Sequence, residues 1–236
     1  MEEKLNGILL YGVPYGENDK ILSVFTLEKG IVSAKIKGVK KAGAKLKFAA
    51  EPFCFAEYMF SKSGAKRVVT GASLIDSFYP VRESLVKLYS ASVCVEFVRA
   101  FFKEGIISKE MFLLLASALK DIAYADASAK LVLTRFLISA LKIVGYGLNL
   151  NGCFVCQKIT NRAFFNPETG SFYCENCFDG RGREIDVKTL TTLKDIENGK
   201  TFSEEECVRP LKLLNYYLNF KSEEKISALK TLIELV

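Results

Sequence analysis

Short apolar runs, each broken by turn-forming residues, fill the first third of the chain and predict β-strands. In the third run the apolar residues Val32, Ala34 and Ile36 have one parity, while Lys35 and Lys37 have the other. This alternation predicts a half-buried strand with lysines on its solvent face. Five strands in this length indicate a small closed barrel of the OB-fold type. The predicted strands cover residues 5–13, 21–27, 31–39, 53–60 and 68–79.

Beyond residue 80 the apolar spacing changes to three and four residues, which predicts amphipathic helices. Three stripes lead up to Gly145 and three more follow residue 185. The first of the last three helices is predicted to end at Asn198-Gly199. The second has Pro210 as its first helical residue, and its apolar stripe begins just after it. The third can be capped by Ser222. The apolar stripes are Leu85–Phe101, residues 111–122, 133–144, 190–196, 211–218 and 226–233.

Two CxxC motifs interrupt the helical part, at a spacing typical of four-thiolate zinc sites. Two such turns on a hairpin with arms at 162–165 and 170–173 direct four sulfurs to one Zn²⁺. Because thiolates then fill all four coordination positions of the zinc, none is left for water, and we expect a structural zinc. Disulfides and redox thiols are the alternatives, but a reducing cytoplasm disfavours disulfides and a redox pair needs only one CxxC. The predicted ligands are Cys153, Cys156, Cys174 and Cys177.

These patterns predict an α+β multidomain chain with an N-terminal OB-fold β-barrel, an α-helical domain and an inserted four-cysteine zinc knuckle. The OB-fold domain takes residues 1–80, the helical domain 81–150 and 181–236, and the zinc-binding insertion 151–180. The remaining cysteines, Cys54, Cys94 and Cys207, fall in apolar stretches and are expected to be buried.

The amino-acid composition of the chain limits the classes of function that it can have. Half of the 236 residues are apolar and a quarter are charged, which indicates a folded chain. Because no apolar run is long enough for a membrane helix and the charged start differs from a signal peptide, we expect a soluble cytoplasmic protein. Histidine is absent, and there is no glycine-rich phosphate loop. Ser-His-Asp and Cys-His catalysis are therefore excluded, and we expect no enzyme.

The net charge of +6 is concentrated between residues 35 and 67, where nine basic residues face two acidic ones. Such a segment on a barrel strand and loop predicts a DNA-binding surface, with salt-sensitive contacts mostly to phosphates. The alternative is that these basic residues form a solvent-exposed face that binds no DNA. The aromatic residues of 53–60 could stack on bases, although their alternation favours the barrel interior. The basic residues are Lys35, Lys37, Lys40, Lys41, Lys45, Lys47, Lys62, Lys66 and Arg67.

Several strings resemble the RecO family. They are GILL at 7–10, YGENDKIL at 15–22, FTLEKG at 25–30 and AKIKGVKK at 34–41, together with Arg135-Phe136, Leu141 and Gly145-Tyr146 ahead of Cys153. The order of barrel, helices, cysteine insertion and further helices is similar to that family over nearly the whole chain.

The resemblance implies a recombination mediator of the RecFOR pathway in DNA repair. Such a protein binds single- and double-stranded DNA, anneals complementary strands and, with RecR, promotes RecA loading on DNA coated by the single-stranded DNA-binding protein SSB. It would act in the cytoplasm, at the nucleoid, without membrane attachment. The SSB C-terminal tail would bind the helical domain, where Arg135 is a candidate contact or else a structural arginine. The participation of RecF is left open.

Two other classes of function remain. One is a nucleic-acid-processing enzyme whose barrel delivers the substrate, which would show metal- or ATP-dependent turnover on DNA. The other is a zinc-ribbon adaptor or transcription factor that acts through protein contacts, for which sequence-specific DNA binding would be the sign.

Overall fold

The computed structural model describes residues 2–63, 66–158 and 161–235, without the side chains of Ser63 and Lys66. The first strands close into a barrel in the order β1-β2-β3-β5-β4, with β3 and β5 parallel and the other pairs antiparallel. This is the arrangement of an OB-fold, so the predicted barrel is confirmed. The strands are β1 (Glu2–Tyr15), β2 (Asp19–Thr26), β3 (Gly30–Ile36), β4 (Phe55–Ser63) and β5 (Lys66–Asp76).

Strand β3 shows the predicted alternation. Val32, Ala34 and Ile36 are buried in the barrel, whereas Ser33 is exposed and Lys35 is half-buried. The inward-facing set of this strand fills the barrel, whereas the outward positions of Ser33 and Lys35 are free to be polar.

The loop that follows β3 contributes to the barrel core. It contains a 3₁₀ turn, Lys47–Ala50, whose two alanines are buried against the barrel interior. The hydroxyl of the fully buried Tyr58 donates to the Ala49 carbonyl at 3.0 Å. This hydrogen bond satisfies the buried hydroxyl and ties the loop to β4.

Six helices in the described ranges follow the barrel, each at one of the predicted stripes. Their apolar faces form one core, which the barrel joins: the Phe25 ring lies 5.7 Å from that of Phe102 and 5.8 Å from that of Phe112, centroid to centroid. The barrel and the helices therefore share buried surface. The helices are α1 (Leu85–Phe101), α2 (Lys109–Tyr124), α3 (Ala129–Ile143), α4 (Val187–Glu197), α5 (Glu204–Lys221) and α6 (Ser227–Glu234).

The predicted start of α5 at Pro210 is wrong. The helix begins at Glu204, and the proline lies inside it. The Glu206 amide donates to the Ser203 hydroxyl at 3.3 Å, and the Ser203 amide donates to the Glu206 carboxylate at 2.8 Å. This capping box starts the helix well before the proline, which removes only one backbone donor from it.

The predicted cap of the last helix is also wrong. Ser222 ends α5, and α6 begins only at Ser227. The cap comes from α1 instead, because the Glu96 carboxylate accepts from the Ala228 amide at 3.0 Å and from the Ser227 hydroxyl at 3.2 Å. A carboxylate at a helix N-terminus also opposes the positive end of the helix dipole.

A four-stranded sheet lies between α3 and α4, in the order β6-β8-β7-β9. Its antiparallel β7–β8 pair is the hairpin predicted between the two CxxC motifs. Phe165 and Phe172 from this hairpin are fully buried in the helical core, and the Phe165 ring meets Tyr217 edge-on at 5.3 Å. The strands are β6 (Asn149–Cys153), β7 (Ala163–Asn166), β8 (Ser171–Cys174) and β9 (Arg183–Ile185).

None of the helices in the described part of the chain is long and apolar enough to span a membrane.

Candidate metal centre and nucleic-acid interface

The four predicted cysteine ligands lie together at one end of the inserted sheet. Cys153 ends β6 and Cys174 ends β8, while Cys156 and Cys177 lie in the turns that follow. All four Sγ atoms are within 4.8 Å of one another, and those of Cys156 and Cys174 are 3.6 Å apart. Sulfurs bound to one tetrahedral ion at ~2.3 Å are about 3.8 Å apart, so this cluster could hold a metal ion.

The thiols of the cluster differ in their electrostatic surroundings. Burial raises the pKa of Cys153, but backbone N–H groups of Cys156, Cys174 and Val155 outweigh it and lower the pKa to about 6. The hydrogen bond with the Cys174 thiol raises the pKa of Cys177 to about 12. Four thiolates this close repel one another, so their joint ionisation requires a cation among them. A thiolate-binding metal therefore fits this donor set.

Ion pairs join the second CxxC turn to the neighbouring strands. The Arg162 guanidinium contacts the Glu175 carboxylate at 2.7 Å and the Glu184 carboxylate at 2.7 Å. Glu175 lies between Cys174 and Cys177, and Glu184 is on β9. The arginine thus ties the turn to the sheet, although such exposed pairs contribute little stability.

The nine basic residues of 35–67 fall into two groups. Lys62 and Arg67 are partners across β4 and β5, and Lys35 pairs with Val68, beside Arg67. Lys37, Lys40, Lys41, Lys45 and Lys47 belong to the end of β3 and its following loop. The Lys40 amide donates to the Asn18 carbonyl at 3.0 Å, which holds this loop against the β1–β2 turn. Lys62 and the five loop lysines are exposed, Lys35 and Arg67 are half-buried, and the Lys66 side chain lies outside the described part.

Lys35 differs from the exposed lysines because it has a carboxylate partner. Its Nζ lies 2.7 Å from Asp19. The hydrogen bond from Lys35 and one from the Gly38 amide lower the pKa of Asp19, so the carboxylate stays charged. Lys35 is therefore partly neutralised, and the loop lysines are better placed to meet phosphates.

The aromatic residues of 53–60 lie in the core, as expected. Phe53, Tyr58 and Phe60 are buried, and Phe55 is partly buried with its ring 5.8 Å from that of Phe112.

Other aromatic residues, which the sequence pattern did not reveal, are exposed on the barrel. Tyr11 and Tyr15 lie on the outer face of β1 and are 41% and 44% exposed. The β1–β2 register shifts between Leu9 and Tyr11, which indicates a bulge. A bulge reverses the face on which later residues lie, so simple alternation from the apolar run before it fails.

Arg135 has a structural contact. Its Nη2 donates to the carbonyls of Gly199 at 3.1 Å and Lys200 at 2.9 Å, just beyond the end of α4. Its Nε is buried and has no hydrogen-bond partner within the described ranges. The guanidinium thus binds the α4–α5 connection to α3.

Two family models divide the chain between them. Recombination protein O N terminal matches residues 1–78, and Recombination protein O C terminal matches residues 82–230. The OB-fold barrel, the helical domain and the cysteine cluster are thus the parts of a DNA repair protein. The chain belongs to the RecO family.

Relatives from several bacteria resemble the chain over most of their length. The DNA repair protein RecO of Syntrophus aciditrophicus is 28% identical over 98% of this chain and 95% of its own. That of Dehalococcoides mccartyi strain CBDB1 is 30% identical over 82% of this chain and 78% of its own. That of Desulforamulus reducens is 28% identical over 94% and 91%.

Proposed function

We propose that the protein is a non-enzymatic recombination mediator of the RecFOR pathway. It binds single- and double-stranded DNA, anneals complementary strands and, with RecR, promotes RecA loading on SSB-coated single-stranded DNA. The observation that carries this proposal is a group of exposed lysines beside the β1–β2 turn of an OB-fold barrel, in a chain of the RecO family. OB-folds bind oligonucleotides on the face of their second and third strands and on the loops beside it.

Annealing requires no catalytic residue in this mechanism. Lys37, Lys40 and Lys41 are exposed, and no carboxylate of the described residues forms an ion pair with them. Their ammonium groups neutralise phosphates on two strands, which lowers the repulsion between the strands and raises their local concentration. Base pairing then completes the reaction.

The metal of the four-cysteine cluster is, in this proposal, structural Zn²⁺. Four thiolates in tetrahedral reach favour zinc and leave no coordination position for water. The cluster closes the end of the sheet from which Phe165 and Phe172 enter the helical core. Zinc would therefore hold that hairpin in place and take no part in strand pairing.

The helical domain supplies the contact with SSB in this proposal. We expect the acidic SSB tail to bind the helical domain, where Arg135 is the candidate contact beside its structural hydrogen bonds to the Gly199 and Lys200 carbonyls. RecR is the second partner, and RecF stays an open one. Because chromosomal DNA is the substrate, we expect the protein to act in the cytoplasm at the nucleoid.

Direct binding tests the proposal. Fluorescence anisotropy with labelled single-stranded and duplex oligonucleotides of several unrelated sequences should give affinities that fall with salt and vary little with sequence. A strong preference for one sequence would favour a zinc-ribbon transcription factor instead. Absence of binding to either form of DNA at low salt would contradict the proposal.

A further inference from the structure

The outer face of β1 exposes three large apolar side chains in a row. Tyr11, Val13 and Tyr15 are 41%, 45% and 44% exposed. Residues at alternate positions of a strand share one face, so the two rings point in a common direction. A row of this kind on the solvent side of a barrel is typical of a binding surface.

A cation lies over one face of each tyrosine ring. The Lys35 Nζ lies 4.6 Å from the centroid of the Tyr15 ring, and the Arg99 Cζ lies 5.4 Å from that of Tyr11. Lys35 belongs to the barrel, whereas Arg99 is near the C-terminal end of α1. Each cation thus holds one face of its ring, and a base of a bound strand would stack on the other face.

Each of these rings lines a cavity. One of about 280 Å³ is lined by Tyr15, Lys35 and Arg67, and one of about 390 Å³ by Tyr11, Arg99 and Lys103. Glu104 lines both cavities. We name this pair of cavities, which lies between the barrel and the end of α1, the tyrosine groove.

The length of the tyrosine groove fits a short single strand. Four residues of strand separate Tyr11 from Tyr15, which is about 13 Å at ~3.3 Å per residue. Bases stacked at ~3.4 Å per nucleotide would place about four nucleotides over that distance. This is at the lower end of the ~4–16 nucleotides bound by one OB-fold.

The charges of the groove favour bases over phosphates. Asp19 is paired with Lys35 at 2.7 Å, Glu224 is paired with Arg99 at 3.5 Å, and Glu104 lines both cavities. These carboxylates repel phosphates from the groove floor. A duplex keeps its bases inside and presents phosphates, whereas a single strand can turn its bases towards the tyrosines.

We propose that the tyrosine groove binds single-stranded DNA by stacking bases on Tyr11 and Tyr15, with the phosphates directed to the lysines around it. This inference rests on the proposed DNA binding and adds to it a residue-level basis for preferring single strands. It also extends the DNA path from the barrel towards the end of α1, where Lys103 lines the second cavity.

The test compares Y11A/Y15A with Y11F/Y15F, which keeps the rings, and with Y79A, which removes another exposed tyrosine. Affinities for an oligothymidylate, for an abasic oligomer of equal length and for a duplex are measured across a salt series. We expect Y11A/Y15A to lose at least about tenfold in affinity for the oligothymidylate, because stacking on one aromatic side chain is worth about fivefold or more per base and two rings are removed. Its affinity for the abasic oligomer and the duplex, and its salt slope, should equal those of the wild type.

The outcomes separate the two proposals. Wild-type affinity of Y11A/Y15A for oligothymidylate, in a protein that binds it, overturns the stacking proposal alone. Equal losses in Y11F/Y15F and Y11A/Y15A, or an equal loss for the abasic oligomer, also overturn it, because the rings and the bases would then not be responsible. A wild-type protein that binds no DNA overturns the proposed function itself. Unchanged circular dichroism and melting temperature show that each variant is folded.

Discussion

Neutralising three loop lysines should weaken DNA binding by a predictable amount. Lys37, Lys40 and Lys41 are exposed beside the β1–β2 turn. The triple variant K37Q/K40Q/K41Q removes three positive charges and no buried contact. If each ammonium group neutralises one phosphate, the slope of log K against log salt for a single strand falls by about 0.7 per lysine, hence by about 2 in total.

The same slope gives the loss of affinity. At about 0.1 M salt a difference in slope of about 2 corresponds to roughly a hundredfold weaker binding, or about 3 kcal/mol. Charge reversal to glutamate at the three positions should weaken binding further, because it adds repulsion to the loss of attraction.

Fluorescence anisotropy with a single-stranded oligonucleotide, from 50 mM to 300 mM salt, measures both quantities. The matched control K188Q/K194Q/K212Q neutralises three exposed lysines of α4 and α5 and should leave the slope unchanged. Equal slopes for the loop variant and the wild type, or unchanged affinity of the charge-reversed protein at low salt, would refute the assignment of the DNA surface.

Two further predictions concern stability. A chelator should lower the melting temperature of the wild type by about 10 °C, since a metal present at a thousandfold its dissociation constant adds about 4 kcal/mol, and should leave the C156S variant unaffected. An equal effect on both proteins would contradict a metal in the cluster. The E96A variant should lose about 1 kcal/mol of unfolding free energy in urea, because it removes the carboxylate that caps α6 at the Ala228 amide. The control is E17A, which changes a glutamate in an exposed turn. Equal unfolding free energies for E96A and E17A would show that the cap contributes no stability.

Periodicity predicted those parts of the fold that depend on local pattern. The five barrel strands and six helices follow from the change of apolar spacing near residue 80, because burial on one face imposes the period of the element. The CxxC spacing likewise predicted that four sulfurs would cluster, since each turn brings two of them close together.

Three features were missed, one because it depends on a tertiary contact and two because a local signal was overridden or interrupted. Glu96 caps α6 from 132 residues away, which no local signal at Ser222 could indicate. The capping box at Ser203 and Glu206 was visible in the sequence, but the helix start was assigned to Pro210 because proline is common at a first helical position. The exposed Tyr11 and Tyr15 were hidden because a bulge interrupts the alternation of β1.

The proposed function requires the protein to pair complementary strands that SSB covers. The most direct test is the annealing of two complementary oligonucleotides coated with SSB, followed by fluorescence quenching with and without the protein, in the absence of ATP. The account predicts faster annealing that fades as salt rises, and a smaller acceleration by K37Q/K40Q/K41Q than by the wild type. No acceleration at any salt concentration, with no binding to SSB or to DNA, would contradict it.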